Sequence, residues 1–139
     1  MGYFDIDLPN LDNGSQMFRG CENLSSFNSY LSKLTNGNHM FTYSSLESFS
    51  ADLSKLTNGY YMFYQCPKLK SFSSNLSSLT NGTNMFHSCP LTSFNSDLSS
   101  LEDAWSMFYG CYLDTASVKN IADTINTGTG QTIEIGIGK

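Results

Sequence analysis

Apolar residues recur along this chain at a fixed step of 22 or 23 positions. A Met-Phe pair opens each unit, and the methionines of these pairs are Met17, Met40, Met62, Met85 and Met107, at intervals of 23, 22, 23 and 22 residues. A second Phe column follows the same step, at Phe4, Phe27, Phe49, Phe72 and Phe94. Two Leu columns and an Asn-Gly turn repeat with it. A short period shared by several apolar columns predicts a solenoid in which each unit forms one coil and stacks on the next.

Each coil is predicted to contain a helical turn and a short strand. Met62, Cys66 and Leu69 have the spacing of one side of a helix. Phe72 lies between small polar residues, which favours a short strand with Phe inward. The Asn-Gly pair closes the coil, and we expect its glycine to adopt positive φ. Because residues 103 and 104 are Asp-Ala instead, we expect that turn to differ or to be strained.

The last part of the chain changes character after residue 113. Asp114 is a predicted helix N-cap, and apolar residues follow it at close to helical spacing, namely Ala116, Val118, Ile121, Ala122 and Ile125. Gly128 and Gly130 are expected to end this helix, and the alternating Ile133, Ile135 and Ile137 predict a strand. The chain therefore divides into a solenoid over residues 1–113, with a partial coil at 1–16 and coils beginning at 17, 40, 62, 85 and 107, and a C-terminal cap over residues 114–139.

Aromatic residues are sorted by type. All ten Phe stand in the Phe column or directly after a repeat Met, whereas none of the eight Tyr and not Trp105 occupies a repeat position. Phe is therefore predicted to be core, and Tyr and Trp to be surface. The outward residues of the strand side are small and mildly acidic, so that side is expected to be flat.

Outward aromatic residues cluster around the Met-Phe pairs. We define the aromatic ridge as Tyr43, Tyr60, Tyr61, Tyr64, Trp105 and Tyr109. Rings with polar tips are enriched at recognition surfaces, where they stack on sugars or anchor proteins. The alternative is that these rings only shield the turns beneath them.

The repeat pattern MFxxCxxLxSFxxxLxxLTNG resembles the bacterial leucine-rich repeats of the BspA or Treponema pallidum type, and its MFYxC start is similar to the Mycoplasma-type lipoprotein repeat. The resemblance covers about residues 4–114. Two departures are Phe in the strand column, where the family usually has Ile or Leu, and Ser44 in the Cys column. The resemblance implies a leucine-rich-repeat solenoid of mainly short strands and helical turns, with about five coils and a C-terminal helix-strand cap. It also implies a surface or secreted adhesion or ligand-binding protein, and similar arrays occur in phage tail proteins.

The charge and composition of the chain argue against some classes of partner. The net charge is −5, and only seven Lys and Arg are scattered along the chain, so nucleic acid is not expected as a partner. The chain contains no apolar run long enough for a membrane helix, and its first residues do not resemble a signal peptide. The family resemblance implies an extracellular protein, on a bacterial surface, secreted or on a phage virion, and in that case its targeting segment is expected to lie outside this chain.

No constellation of catalytic or metal-binding residues stands out. His39 and His87 lie two coils apart, and no nucleophile, His and acid set or paired-carboxylate spacing is present, so neither an enzyme nor a cofactor is expected. Cys21, Cys66, Cys89 and Cys111 occupy one repeat column, which favours packing thiols over a disulfide or a metal site.

Two functions remain at this point. The first is recognition of a host or bacterial surface protein or glycan through the aromatic ridge. The second is structural, because the partial first coil is either a truncation point or an interface, and apolar strand residues lie at both ends of the array. In this alternative, copies stack into dimers or filaments through edges formed by Phe4, Ile6, Leu8, Ile133, Ile135 and Ile137.

Overall fold

The computed structural model describes residues 2–125 and the backbone of residues 135–137. In chain order the elements are β1 Gly2–Phe4, β2 Leu24–Phe27, β3 Ser48–Phe49, β4 Ser71–Phe72, β5 Ser93–Phe94, β6 Phe108–Leu113, α1 Thr115–Thr124 and β7 Ile135–Ile137. The predicted short strands are present, and most are only two to four residues long.

All strand pairs are parallel, and the sequence period sets their register. Phe27 pairs with Phe49, and Phe72 pairs with Phe94, so each Phe lies beside its counterpart one coil away. The strands form three sheets, ordered β1-β2-β3, β4-β5 and β6-β7. The break between β3 and β4 interrupts the strand side of the array within an otherwise continuous stack.

The predicted helical turns are wrong. The segments 14–20, 37–43, 59–65 and 82–88 are successive β-turns, in which alternate N–H groups bond three residues back and the others donate to the next coil. For example, the N–H of Met40 donates to the Gly37 carbonyl at 2.9 Å, whereas the N–H of Phe41 donates to the Met62 carbonyl at 2.8 Å. We call this stack of segments the turn ladder. It satisfies the backbone between coils, where a helix would satisfy it within one coil.

Positive φ falls on residues other than the predicted glycines. In the turn ladder it occurs at two repeat positions, which comprise Gln16, His39, Tyr61, Asn84 and Ser106 and then Gly20, Tyr43, Gln65, Ser88 and Gly110. The glycines of the Asn-Gly pairs are not among the residues with positive φ, so that expectation was wrong.

The Asn-Gly glycines are instead required by packing. A Cβ on Gly59 would lie 2.8 Å from the sulfur of Met85, which belongs to the next coil. Gly14, Gly37 and Gly82 each face the next coil's methionine in the same way, at 2.7 Å. Each glycine therefore makes room for one repeat methionine.

The Asn of each pair fixes the turn through its side chain. The Oδ1 of Asn58 accepts from the N–H of Tyr60 at 3.0 Å, and Asn13, Asn36 and Asn81 make the same contact two residues on. Asp103 makes a longer version, at 3.4 Å, to the N–H of Trp105. The expectation that this turn differs is therefore wrong, because Asp103 also forms the same backbone bridge with Asn81. Ala104 stands in the place of the glycine, and no methionine follows Met107 in the sequence.

The core contains two stacked columns of Phe rings beside the Leu, Met and Cys columns. Phe41 and Phe63 stack with centroids 5.4 Å apart and an angle of 5° between their planes, and each column continues in this way from coil to coil. Rings of different columns meet edge to face, as Phe27 and Phe41 do at 5.0 Å and 71°. The prediction of Phe inside and Tyr outside is confirmed for the described residues.

The cysteine column also packs in the core. Cys66, Cys89 and Cys111 are buried free thiols, while Cys21 is half-buried. Their Sγ atoms donate to Phe carbonyls of the preceding coil, as Cys89 does to Phe63 at 2.9 Å. Burial raises the pKa of the Cys111 thiol to about 12. Since the thiolate is the reactive form, a thiol protonated in this way is suited to packing.

Helix α1 lies against the exposed side of β5. Asp114 caps it as predicted, accepting from the N–H of Ser117 at 2.8 Å, and Ile121 is buried beneath it. Ala116 and Ala122 are exposed, in contrast to their predicted place on the apolar stripe. The helix ends at Thr124 with Ile125 as its C-cap. Gly128, Gly130 and Ile133 lie outside the described residues, and β7 pairs with β6.

Candidate functional site

The turn ladder positions the aromatic ridge. Its alternate N–H groups bond to the next coil, so corresponding residues of successive coils lie side by side. Tyr64 and Tyr109 share one column with His87 between them, whereas Tyr61 lies in the column of His39. Both Tyr61 and Tyr43 have positive φ, at 57° and 64°. This conformation is uncommon for bulky residues, and here the ladder hydrogen bonds hold it.

Five ridge tyrosines form one connected cluster of rings together with two histidines. Tyr60 and Tyr61 lie 4.4 Å apart between centroids, and Tyr61 lies 4.8 Å from Tyr64. Tyr64 then stacks on His87 at 5.0 Å, and His87 stacks on Tyr109 at 4.9 Å. The cluster therefore crosses coils along the ladder.

Tyr43 joins this cluster at its edge. Its ring meets Tyr64 edge to face at 5.9 Å, and the guanidinium carbon of Arg19 lies 5.8 Å from its centroid. That distance is within the range of a cation–π contact. Arg19 therefore adds a positive charge to one end of a neutral aromatic surface.

His39 joins the cluster from the same segment of the turn ladder as Tyr43. Its ring stacks on Tyr61 at 4.8 Å, and its Nδ1 lies 3.2 Å from the hydroxyl of Thr42. Since that hydroxyl donates to the Tyr61 carbonyl at 2.6 Å, it accepts from His39, which assigns the proton to Nδ1. Burial and then the nearby Arg19 charge lower the pKa of His39. The imidazole is therefore neutral at physiological pH and stacks as an uncharged ring.

The cluster is accessible on its outer side. Tyr43 and Tyr109 are 45% and 54% exposed, whereas Tyr60, Tyr61 and Tyr64 are half-buried against one another. Burial and then the neighbouring Tyr60 raise the pKa of Tyr61, so its hydroxyl stays protonated at neutral pH. The surface thus presents fixed rings with neutral polar tips.

Trp105 lies apart from the other five ridge residues. It is 59% exposed and occupies the column of Tyr60, two coils away, with Thr83 between them. Among the described residues its indole has no ring contact with the cluster. The sequence placed Trp105 in the ridge because it is an outward aromatic residue, and repeat columns alone do not show which rings touch. The predicted ridge did not include His39 and His87. The sequence contains the signal for both, because His39 lies one repeat before Tyr61, and His87 lies one repeat after Tyr64 and one repeat before Tyr109.

The repeat itself identifies the protein family. A family model for the BspA type leucine-rich repeat region matches residues 6–114 in six copies. The chain belongs to this family. The match covers most of the chain and confirms the resemblance drawn from the repeat pattern, with one copy more than the five coils counted from the methionines.

Membership of the BspA-type family supports a binding role at a coarse level. Its repeats are commonly surface adhesion and protein-binding modules that lack enzymatic activity. Comparisons with curated proteins and with solved structures gave no match. Within residues 2–125 and 135–137, no helix is long and apolar enough to cross a membrane.

Proposed function

We propose that this chain is an extracellular recognition module that binds a surface protein or glycan through the aromatic ridge. The observation that carries the proposal is the connected ring cluster from Tyr61 through Tyr64 and His87 to Tyr109. Aromatic side chains provide large contact areas and lose little rotamer entropy on binding. Rings that their neighbours already hold in place lose even less conformational entropy on binding, so the binding surface is preorganised in the free protein.

The sorting of residue types supports this function over simple shielding. Shielding needs apolar surface, which Phe would supply, yet outward positions carry Tyr and His, whose polar tips suit a wet interface. Tyr43 and Tyr109 also leave about half of their surface uncovered. A partner can therefore bury further surface of both rings, and Tyr is among the residues enriched in binding hot spots.

The first prediction concerns binding. Replacing Tyr43, Tyr64 and Tyr109 together by Ser is expected to weaken binding to host or bacterial cells by at least about tenfold, since hot-spot residues contribute about 2 kcal/mol or more. Flow cytometry with labelled protein measures this. Treating the cells beforehand with protease or with glycosidases separates a protein partner from a glycan.

The control replaces two exposed tyrosines that lie outside the ridge. Tyr3 and Tyr112 are 73% and 43% exposed, and their change to Ser is expected to leave binding unchanged. A Trp105→Ser variant tests separately whether the indole belongs to the site. Equal binding by the ridge variant and the wild type, at unchanged melting temperature, would reject the ridge as the site.

A second candidate function is self-association through the N-terminal end. Ile6 is 66% exposed and Phe4 is half-buried. Met17 is 46% exposed and Leu8 is half-buried, although the counterparts of both in later coils are buried. In later coils, four carbonyls of the turn ladder accept bonds from the preceding coil. In the first coil the corresponding carbonyls are those of Asn13, Ser15, Met17 and Arg19, and they accept no bond from another coil of the described chain. At the other end α1 covers β5 and β7 pairs with β6, which disfavours head-to-tail stacking.

The test of self-association is light scattering over a concentration series. Mass is expected to grow with concentration and to stay monomeric in Ile6→Lys, which places a charge in the exposed apolar end. A Lys at Glu47, exposed on a middle coil, is the control and should associate like the wild type. A wild-type protein that remains monomeric at high concentration excludes this function.

A further inference from the structure

The strand side contains a groove where the array splits between β3 and β4. These strands do not pair, although the coils that carry them stay joined through the turn ladder, as by the Tyr43 N–H bond to the Tyr64 carbonyl at 3.0 Å. Elsewhere the bond from Ser50 to Phe27 and that from Asn95 to Phe72, both at 3.0 Å, join neighbouring strands. Ser73 makes no such bond to Phe49. The strand side is therefore not flat, contrary to the expectation from its small residues.

Phe49 beside the split is less covered than most other Phe of its column. It is half-buried, whereas Phe27 and Phe94 are 0% and 1% exposed. In the next junction the Oγ of Ser96 donates to the Ser74 carbonyl at 2.6 Å. Ser74 makes no equivalent bond to the Ala51 carbonyl across the split, so this column does not join the two coils.

The groove has the size and the mixed lining of a small-ligand site. Its volume is about 490 Å³, and Phe49 and Ala51 form part of its lining. Asp7 and Asp52 also line it, each held by a backbone bond, from Tyr30 N–H at 3.2 Å and from Ser54 N–H at 2.9 Å. Binding sites for small molecules usually have volumes of about 300–1,000 Å³ and combine apolar surface with a few fixed polar groups.

We propose that this groove binds a short neutral saccharide. Carboxylates accept from sugar hydroxyls, and the serines both donate and accept. Tyr30, which also lines the groove and is 64% exposed, offers aromatic surface to the C–H face of a sugar ring. The described residues that line the groove include no Lys or Arg, so an anionic ligand would meet two carboxylates with no basic partner among them. The groove shares no residue with the aromatic ridge and is a second, independent site.

The experiment titrates wild-type protein with lactose, maltose, cellobiose and chitobiose, followed by amide chemical shifts. At least one disaccharide is expected to shift the Ser73 and Phe49 amides. The double variant Asp7→Asn, Asp52→Asn keeps acceptor oxygens for the backbone caps and is expected to lose about tenfold or more in affinity, as loss of hydrogen bonds to charged groups predicts. Asp97→Asn is the matched control, since Asp97 occupies the column of Asp52 and caps Ser99 at 2.8 Å outside the groove.

Separate arms distinguish this site from the ridge and from other ligand classes. The Tyr43, Tyr64, Tyr109 to Ser variant is expected to keep full saccharide affinity. Binding that this variant loses, or that the double Asn variant keeps, would overturn the assignment. If 1,4-diaminobutane shifts the groove amides and none of the disaccharides does, the groove is a cation site and the saccharide proposal is rejected. An absence of shifts with all five probes would reject the groove as a binding site.

Discussion

Single residues of this repeat perform different tasks from those that their types suggest. The glycine after each Asn has ordinary φ and is needed because the next coil's methionine lies against it, whereas Tyr43, Tyr61 and Gln65 carry the left-handed conformation. The sequence contained the Gly-Met relation, since Gly recurs with Met and gives way to Ala104 where no later Met follows. Left-handed tyrosines could not be predicted, because local preference favours glycine there and the stack overrides it.

The Gly-Met contact leads to a prediction about stability. Gly59→Ala is expected to lower the free energy of unfolding by about 1–3 kcal/mol, because its Cβ would overpack against Met85, 2.8 Å away, and Leu79, 3.1 Å away. Urea denaturation measures the change. In a Met85→Ala background the glycine substitution should cost less, since the nearer obstructing side chain is gone and the Leu79 contact remains. Additive effects of the two changes would show that the glycine serves the backbone instead.

At the scale of elements, the sequence predicted which segments exist better than their hydrogen bonding. Short strands at each Phe and the Asp114 cap follow from local pattern and are present. The spacing of Met62, Cys66 and Leu69 suggested a helical turn, but successive β-turns place the same residues inward. Local spacing could not distinguish the two, because the choice depends on bonds to the neighbouring coil. The polar face of α1 was also missed, since Ser117 and Asn120 look like ordinary surface residues in sequence.

Helix α1 protects the edge of β5 with side chains. The Oγ of Ser117 accepts from the Phe94 N–H at 2.8 Å, and Asn120 Oδ1 accepts from the Ser96 N–H at 3.1 Å. Ser117→Ala is expected to cost about 1–3 kcal/mol, because it leaves a buried N–H without a partner. Urea denaturation measures this, and faster hydrogen exchange of the Phe94 amide locates it. Thr115→Ala, at an exposed position of the same helix, should leave the free energy of unfolding and the exchange rate of the Phe94 amide unchanged.

The cap of α1 makes its stability depend on pH. Hydrogen bonds from the side chain and then the backbone of Ser117 lower the pKa of Asp114 below its ordinary value of 3.8. A carboxyl with a depressed pKa stabilises the fold above its unfolded-state pKa, and this contribution is lost as pH falls through the folded-state value. The stability difference between wild type and Asp114→Asn should therefore be constant near neutral pH and change only below about pH 4. Thermal melts from pH 7 to pH 2 measure it, and a difference independent of pH would contradict this account.

At the scale of the whole molecule, the stack is a ladder in which each coil depends on its neighbours. The backbone bonds of the turn ladder and the contacts of both Phe columns run between coils. If one whole repeat is deleted, the two coils on either side of it therefore have matching faces and can stack on each other. Deleting residues 17–39 joins Gln16 to Met40, and Gln16 has the same left-handed φ as the His39 it replaces, 60° against 54°. The register of every column is retained.

This deletion is expected to yield a folded, less stable protein. Because it removes 23 of 139 residues, the urea m-value should fall by roughly one sixth, in proportion to the surface exposed on unfolding. Deleting residues 17–34 removes less chain but shifts Asn36 out of its column, which places polar residues where Met and Phe belong. Residues 35–139 keep their own spacing, so this variant is expected to lose only the docking of residues 1–16, and its m-value should fall further than that of the in-period deletion. If the longer, in-period deletion unfolded the chain, the coils would not be interchangeable, and the stack would depend on one particular coil instead of on the period they share.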